Sequence, residues 1–197
     1  MDKRSILVVS GAMMSDPSWN RVAQYAHRNH SAWCEMNKGI AIMSDFEQNI
    51  PGTRPVSWRK LSELRLFSRR SETVVWMDAD CLFRDGATLY DFTADPARIR
   101  FASDLNGINC GCMIVPPSAP WVDQFLSMWF DAATPTEIND PWWEQRTLHR
   151  MVRELPSVAA RIGEPIPSRL LIHAAGIPSA CKLDWLVKKT KEQTCQT

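Results

Sequence analysis

The stretch that decides the fold is Thr73–Phe83, which reads TVVWMDADCLF. It begins with an apolar, β-rich run of the kind that forms a strand buried on both faces of an α/β sheet. The run stops at Asp78 and Asp80, two carboxylates separated by one residue. Because ligands of such sheets bind just beyond the carboxyl ends of the strands, this pair predicts a site for a divalent cation and a phosphate-bearing substrate.

The spacing of Asp78 and Asp80 has two interpretations. Positions i and i+2 of a strand project to the same face, so both carboxylates can reach one site. Alternatively, the pair ends the strand in a turn, where its side chains bond local backbone N–H groups. Asp-x-Asp alone is common, and it is the fully apolar strand before it that favours a catalytic site.

Length, charge and cysteine spacing exclude several classes of protein. The chain has 197 residues, with 23 basic and 22 acidic side chains, so we expect one domain over residues 1–197 and no nucleic acid partner. No apolar run is long enough for a transmembrane segment, and the first residues do not resemble a signal peptide. The six cysteines lack zinc-finger or thioredoxin spacing. These features favour a cytoplasmic protein with reduced thiols, and a basic tail that frays at about 188–197.

Short apolar runs alternate with amphipathic segments, which is typical of an α/β fold with a mixed, mostly parallel central sheet flanked by helices. Asp16 and Pro17 provide an N-cap and a first-turn proline for a helix that we expect to end near His27. Another helix should be capped by Ser57, and the helix opened by Asp140 should turn Leu155 inward. The predicted strands cover residues 5–10, 32–36, 39–43, 73–77, 99–103, 112–115 and 170–172, the other predicted helices cover 57–67 and 121–130, and connections cover 48–55 and 106–111.

A histidine near the end of the chain is the next candidate. His173 ends the last apolar strand, and Gly176 after it permits a close backbone approach. A lone histidine at a strand end is most often only hydrogen-bonded in place. Together with two carboxylates, however, one imidazole completes a ligand set suited to Mn²⁺. Such an ion would hold diphosphate oxygens and neutralise the charge on a leaving diphosphate.

Two helical segments carry further candidates. Glu144 and Gln145 lie in the first turns of a helix and can point into a cleft, although Glu144 could serve only the helix dipole. The adjacent Trp142 and Trp143 face different directions, so we expect at most one of them to stack on an acceptor sugar and the other to be core. On pattern alone, Lys60 is a solvated lysine on a helix face.

The order of these motifs resembles that of the GT-A glycosyltransferases. It is most similar to the galactosyl/xylosyl-transferase family of fungal mannan and plant xyloglucan enzymes, which has short viral and microbial relatives. The resemblance covers roughly residues 5–182 and implies one GT-A-like catalytic domain that moves a sugar from a nucleotide-diphosphate donor, expected to be a UDP-sugar, to a glycan or other hydroxyl acceptor. The motifs that carry it are Trp58-x-Lys60, Val74–Phe83, Asn109-x-Gly111, Trp143-Glu144-Gln145 and His173-x-x-Gly176.

The resemblance also implies a role for each matching residue. Asp78, Asp80 and His173 would bind Mn²⁺, with Mg²⁺ as the alternative ion. Glu144 and Gln145 would face the reacting sugar carbon. Contacts to the nucleotide sugar are implied for Ser10, Gly11, Lys60, Asp78, Asp80, Asp104, Asn109, Gly176 and Lys182.

The chain departs from the family pattern in several ways. We expect no counterpart of the membrane anchor and stem of the Golgi enzymes. The segment after Gly176 differs from their Cys-rich ending, and this segment includes Lys182, for which the resemblance implies a contact to phosphate. If the reaction inverts the anomeric carbon rather than retaining its configuration, a carboxylate must act as general base, and Asp104 or Glu144 would be the candidates.

Two other functions stay open at this point. A haloacid-dehalogenase-type phosphohydrolase also places Asp-x-Asp after an apolar strand, with the first Asp as nucleophile. Against it, Cys81 stands where a Thr or Ser is expected, and the motif normally lies on the first strand. The third hypothesis is a non-catalytic module that binds a sugar nucleotide, or one partner of a heteromeric transferase.

Overall fold

The computed structural model of the chain describes residues 6–46, 54–70 and 72–194, so most of the connection expected over 48–55 lies outside them. Strands and helices alternate in the first part of the described chain, up to residue 77, and several strands and then several helices follow in succession. The strands are β1 (Ile6–Ala12), β2 (Ile40–Asp45), β3 (Thr73–Met77), β4 (Cys81–Phe83), β5 (Arg100–Asp104), β6 (Gly107–Val115) and β7 (Leu171–His173). The helices are α1 (Pro17–Asn37), α2 (Arg59–Phe67), α3 (Pro120–Asp131), α4 (Pro135–Ile138), α5 (Trp143–Glu154), α6 (Pro156–Ala159) and α7 (Ser179–Thr194).

Within these residues the central sheet has five strands in the order β2-β1-β3-β6-β5. Strand β1 pairs in parallel with β2 and β3, whereas β6 runs antiparallel to β3 and β5. Every strand of this sheet except β6 therefore points the same way, which confirms the mixed, mostly parallel sheet. A smaller antiparallel sheet pairs β4 with β7. It joins the chain just after the acidic pair to the strand that ends at His173.

Both faces of the central sheet are buried, which explains its continuously apolar strands. Along β1 the side chains alternate: Leu7 and Val9 pack in a cluster with residues of α2, α3 and α5, whereas Ile6 and Val8 pack in a cluster with residues of α1. All residues of β3 are buried as well. No helix in the described part of the chain is both long enough and apolar enough to cross a membrane.

The segment 32–36, for which we expected a strand, belongs to the long helix α1. Asp16 caps this helix as predicted, since its Oδ1 accepts hydrogen bonds from two first-turn N–H groups at 2.8 and 3.2 Å. The second half of the helix buries His30, Trp33 and Cys34, whose spacing is helical. The strand prediction was wrong because a histidine occupies a buried position of this face and interrupts the apolar pattern.

Three other local expectations are wrong. Ser57 does not cap α2, because it lies inside a 3-10 turn that leads into the helix. The segment 106–111, expected as a connection, is mostly strand, since β6 pairs with β5 over much of it. Leu155 follows the end of α5 and is exposed rather than inward. Residues 188–194 of the basic tail belong to α7, and the last residues of the tail lie outside the described part of the chain.

Candidate active site

The acidic pair lies in a turn rather than in a strand. Strand β3 ends at Met77 and β4 begins at Cys81, whose N–H donates to the Asp78 carbonyl at 2.9 Å. The pair therefore lies in a turn and not at strand positions. Its side chains do not bond local backbone N–H groups as the turn interpretation requires, because Asp78 bonds Trp76 and Lys60, and Asp80 bonds His173 and Lys182. Both side chains still reach one place, just beyond the carboxyl end of β3. Trp76 Nε1 donates to Asp78 Oδ1 at 2.7 Å and so orients that carboxylate.

The small sheet brings His173 to the acidic pair. His173 of β7 is the antiparallel partner of Cys81 of β4, the residue directly after Asp80. One ligand atom each from Asp78, Asp80 and His173 lies within 4.8 Å of the others, and His173 Nε2 lies 3.5 Å from Asp80 Oδ1. The three side chains therefore converge in the structure, as we expected from the sequence. The pairing of β4 with β7 and the turn between β3 and β4 bring them together.

Gly111 on β6 provides room for the imidazole. A Cβ atom at this position would lie 2.2 Å from His173 Cε1 and 2.7 Å from His173 Nε2. The Gly111 carbonyl also accepts a hydrogen bond from the Asp78 N–H at 2.7 Å. The absence of a side chain at this position is therefore a packing requirement of the site.

Lys60 and Lys182, both buried, neutralise the carboxylates of the site. Lys60 Nζ lies 2.9 Å from Asp78 Oδ1 and 2.8 Å from Glu144 Oε1. Lys182 of α7 pairs with Asp80 Oδ2 and donates to the Ala174 carbonyl at 2.6 Å. Lys60 is thus not the solvated lysine that its helical pattern suggests. Because burial of an unpaired charge is costly, the lysines and carboxylates stabilise one another's charged forms.

The electrostatics of the site follow from burial and these partners. Burial raises the pKa of Asp80, but the hydrogen bonds and charges of His173 and Lys182 outweigh it and hold that pKa well below its usual range. Burial lowers the pKa of His173, and Asp80 reverses this, so the pKa of His173 lies above its usual value. Burial raises the pKa of Glu144, although Lys60 opposes the shift. Asp80 is therefore an anion at neutral pH, and Glu144 takes up a proton more readily than an exposed glutamate.

This donor set fits a divalent cation. Two carboxylates and one imidazole are ligands that Mn²⁺ accepts, and Mg²⁺ would use the carboxylates. Asp80 is ionised, and Asp78 and His173 lie close enough to share an ion with it. Because Lys182 already pairs with Asp80 Oδ2, an ion would share Asp80 with this ammonium group or displace it.

The site opens into a cleft of about 1050 Å³. Its wall includes all but one of the residues for which the resemblance implies a role in donor binding, metal binding or catalysis. Those that line it are Gly11, Lys60, Asp78, Asp80, Asp104, Asn109, Glu144, Gln145, His173, Gly176 and Lys182. The exception is Ser10, which is fully buried and whose Oγ has no hydrogen-bond partner among the described residues. Gly176 has φ +74°, a left-handed conformation that favours glycine.

Polar groups of β5, β6 and α5 are connected on one wall of the cleft. Asn109 Nδ2 donates to Asp104 Oδ2 at 2.7 Å, and Asn109 Oδ1 accepts from the Gly111 N–H at 2.8 Å. The Gln145 side-chain carbonyl accepts from the Cys110 N–H at 3.0 Å, which leaves its NH₂ group to donate into the cleft. Glu144 Oε1 binds Lys60, whereas Glu144 Oε2 is buried without a partner in the part of the chain that the structure describes.

Sequence reasoning missed several groups of the site. Phe46 stacks with Trp76 at a centroid distance of 6.4 Å, and a Cβ on Gly11 would lie 2.1 Å from the Phe46 ring. Both aromatic rings line the cleft, and nothing in their local sequence signals this position. The expectation that one of Trp142 and Trp143 is core is also wrong, because they are 45% and 42% exposed and both line the cleft.

Comparisons with known proteins identify the fold. No family model and no curated protein matches the chain by sequence. A glycosyltransferase involved in the glycosylation of the major capsid of PBCV-1 has a similar structure, with a TM-score of 0.67 and 13% identity over 93% of this chain and 99% of that one. The galactosyltransferase LgtC, solved in complex with donor and acceptor sugar analogs, gives a TM-score of 0.52 and 12% identity over 96% and 95% of the two chains.

A further similar structure is the apo form of the glycosyltransferase GlyE of Streptococcus pneumoniae TIGR4. Its TM-score is 0.54 at 11% identity, and the match covers 84% of this chain but only 46% of GlyE, so the chain spans about half of that protein's length. At such low sequence identities the structural similarity establishes the fold, but it does not show that the chain belongs to the galactosyl/xylosyl-transferase family. The chain has the GT-A fold that these glycosyltransferases share.

Proposed function

We propose that this protein is a metal-dependent glycosyltransferase. It would move a sugar from a nucleotide-diphosphate donor, expected to be a UDP-sugar, to a glycan or other hydroxyl acceptor. The observation that carries the proposal is the convergence of Asp78, Asp80 and His173 inside a large cleft of a GT-A fold. The similarity of the fold to three glycosyltransferases supports the reaction type.

In this proposal Asp78, Asp80 and His173 hold Mn²⁺ or Mg²⁺. The bound ion would supply Lewis-acid stabilisation of the charge that develops on the leaving diphosphate. Lys60 and Lys182 keep the carboxylates ionised and hold them in position. The ammonium group of Lys182 and the backbone of Gly176 line the same cleft and would bind diphosphate oxygens.

The donor sugar would lie against the wall formed by β5, β6 and α5. Asp104 and Asn109 offer an acceptor and a donor for sugar hydroxyl groups, and Gly11 lies on the cleft wall where we expect the nucleoside. Ser10 can act on the nucleoside only through its backbone or after a rearrangement, because its side chain is fully buried. Gln145 would donate through its NH₂ group to the donor sugar, since its carbonyl is held by Cys110.

The transfer itself is a substitution at the anomeric carbon. The bond from this carbon to the phosphate oxygen breaks, and a bond to the acceptor oxygen forms. In a retaining reaction the departing phosphate takes the acceptor proton. In an inverting reaction Glu144 or Asp104 takes it as general base, and the raised pKa of buried Glu144 suits that role.

A thermal-unfolding screen of nucleoside diphosphates and nucleotide sugars, each with Mn²⁺ or with EDTA, tests this function. We expect one nucleotide to stabilise the protein only when the metal is present, by about 2.7 kcal/mol at a hundredfold excess over its Kd. Asp80→Asn should abolish this metal-dependent shift, measured against the variant's own unliganded melting temperature. The control Glu35→Gln changes an exposed carboxylate on α1 and should leave the shift unchanged.

Product analysis completes the test. A transferase should release the nucleoside diphosphate slowly from the stabilising donor even without an acceptor. Release of inorganic phosphate instead would indicate a phosphohydrolase, and a binding module would release neither product. Equal stabilisation by the nucleotide in Mn²⁺ and in EDTA would contradict the metal-dependent site.

A further inference from the structure

The rim of the cleft carries aromatic surface that the donor half of the site does not use. Trp142 and Trp143 are 45% and 42% exposed, and Leu105 at the turn between β5 and β6 is fully exposed. All three line the cleft that contains the acidic turn. Exposed apolar side chains that cluster beside a cleft and are rimmed by polar residues are a common mark of a binding site.

A strained turn holds the two indoles in place. Trp143 has φ +42°, a left-handed conformation that is unfavourable for a bulky side chain. Asp140 fixes this turn, because its Oδ1 accepts from the Trp142 N–H at 2.9 Å and its carbonyl accepts from the Trp143 N–H at 2.8 Å. Asp140 Oδ2 also pairs with Arg146 at 2.6 Å. Strain that the surrounding contacts maintain is concentrated at functional sites in proteins.

The surroundings of the indoles are polar rather than apolar. Asp104 and Asn106 are exposed on the same cleft wall, and Glu144, the residue after Trp143, carries a buried Oε2 without a partner among the described residues. A lipid chain or an apolar protein surface would leave these groups desolvated and unpaired, which is costly. A sugar ring instead presents C–H faces that pack on an indole, and hydroxyl groups at its edge that bind carboxylates and amides.

We propose that Trp142 and Trp143 form the acceptor subsite of this cleft, and that the acceptor is a pyranose ring of a glycan stacked on an indole. This inference rests on the proposed function, since it names the second substrate of the same site. Glu144 lines the same cleft, and its carboxylate would bind or deprotonate a hydroxyl group of the stacked ring. The subsite therefore couples stacking of the ring to orientation of the attacking oxygen.

The test measures binding of simple acceptor analogues. Saturation-transfer NMR is recorded with methyl glucopyranoside, galactopyranoside, mannopyranoside and xylopyranoside, each in the presence of UDP and Mn²⁺. We expect at least one glycoside to bind the wild-type protein, and its Kd to rise at least tenfold in the double variant Trp142→Ala/Trp143→Ala. The control Trp121→Ala changes a partly exposed tryptophan of α3 outside the cleft and should leave the Kd unchanged.

Two results would overturn the subsite: no glycoside binds the wild-type protein, or the double variant binds as tightly as the wild type. The single variant Trp142→Ala provides the same comparison at a residue without a strained backbone, should the double variant not fold. The thermal shift by UDP and Mn²⁺ is measured on every variant. Absence of that shift from the wild type contradicts the UDP-dependent function proposed above, whereas a shift without glycoside binding refutes only the acceptor subsite.

Discussion

At the scale of single residues, this fold buries ionisable groups both inside and outside the cleft, and their partners decide what each one does. Lys60 lies between Asp78 and Glu144, so its charge is balanced at two positions. His30 on α1 differs, because its Nε2 lies 2.8 Å from the Cys81 carbonyl and no carboxylate of the described residues pairs with it. Burial without an anionic partner favours the neutral form of an imidazole.

His30 makes the stability of the fold depend on pH. Burial lowers its pKa from 6.5 to about 4. Above pH 6.5 both the folded and unfolded chains hold a neutral imidazole, so His30 adds no pH dependence. Between pH 6.5 and 4 only the unfolded chain takes up the proton, so the free energy of unfolding falls, by roughly 3 kcal/mol at the lower limit.

We therefore expect His30→Gln to flatten the pH dependence of stability in this range. The measurement is urea unfolding at half-unit pH intervals from 7 to 4. The control His149→Gln changes a partly buried histidine of α5 and should leave the slope due to His30 in place. A His30→Gln variant with the wild-type slope would show that His30 does not titrate between these limits.

At the scale of elements, the site depends on how closely β6 approaches β7. The two strands belong to different sheets, and they meet where the imidazole of His173 lies against the bare backbone of Gly111. Both strands also contact the acidic turn, since Asp78 bonds to Gly111 and Cys81 pairs with His173. The separation of these elements therefore sets the separation of the three proposed metal ligands.

Gly111→Ala should weaken metal binding while the chain still folds. The added Cβ would lie 2.2 Å from His173 Cε1 and 2.9 Å from Asn109 Oδ1, so the imidazole must move. Displacement of a supporting contact costs metal sites about 10- to 100-fold in affinity, and we expect a loss of that order in Mn²⁺ titration calorimetry.

The matched control is Gly163→Ala, whose Cβ would lie 3.0 Å from Arg100 Cγ, at a position outside the cleft wall. This variant should bind Mn²⁺ as the wild type does. Unchanged Mn²⁺ affinity in Gly111→Ala would mean that His173 is not a ligand, or that it moves without consequence.

At the scale of the whole molecule, the small β4–β7 sheet holds His173 next to the acidic turn. Ile172 of β7 is buried in a cluster with Leu82 of β4, Val22 of α1 and Leu186 of α7. This cluster connects early, middle and late parts of the chain. It lies apart from the larger cluster that contains Leu126 of α3.

Ile172→Ala should therefore lower both the stability and the Mn²⁺ affinity of the protein. Removal of a buried isoleucine side chain costs about 2–5 kcal/mol, and the loosened strand carries His173. Leu126→Ala should cost a similar free energy of unfolding, because Leu126 is fully buried, but it should leave Mn²⁺ affinity unchanged. Urea unfolding measures the stability of each variant, and titration calorimetry measures its Mn²⁺ affinity. Equal loss of Mn²⁺ affinity in both variants would contradict a specific role for the β4–β7 sheet.

Local patterns predicted much of the fold. The apolar run of β3 indicated a strand buried on both faces, and Asp16 indicated the start of α1, because burial and capping act over a few neighbouring residues. The same local logic failed over residues 32–36, where a buried His30 interrupts the helical pattern. The resemblance directed attention to side chains that line one cleft, but it could not reveal that Lys60 lies between two carboxylates or that Trp142 and Trp143 both remain exposed.

The sequence by itself determined which segments are buried, that the chain is α/β, and that an acidic pair follows a central strand. Only the tertiary structure decided that His173 and Lys182 meet Asp80, because strand pairing between β4 and β7 and the packing of α7 join residues far apart in the chain. Such contacts depend on the register of distant strands, which leaves no periodic signal in either segment. The chemistry of the site was therefore encoded locally, whereas its geometry arose from long-range packing.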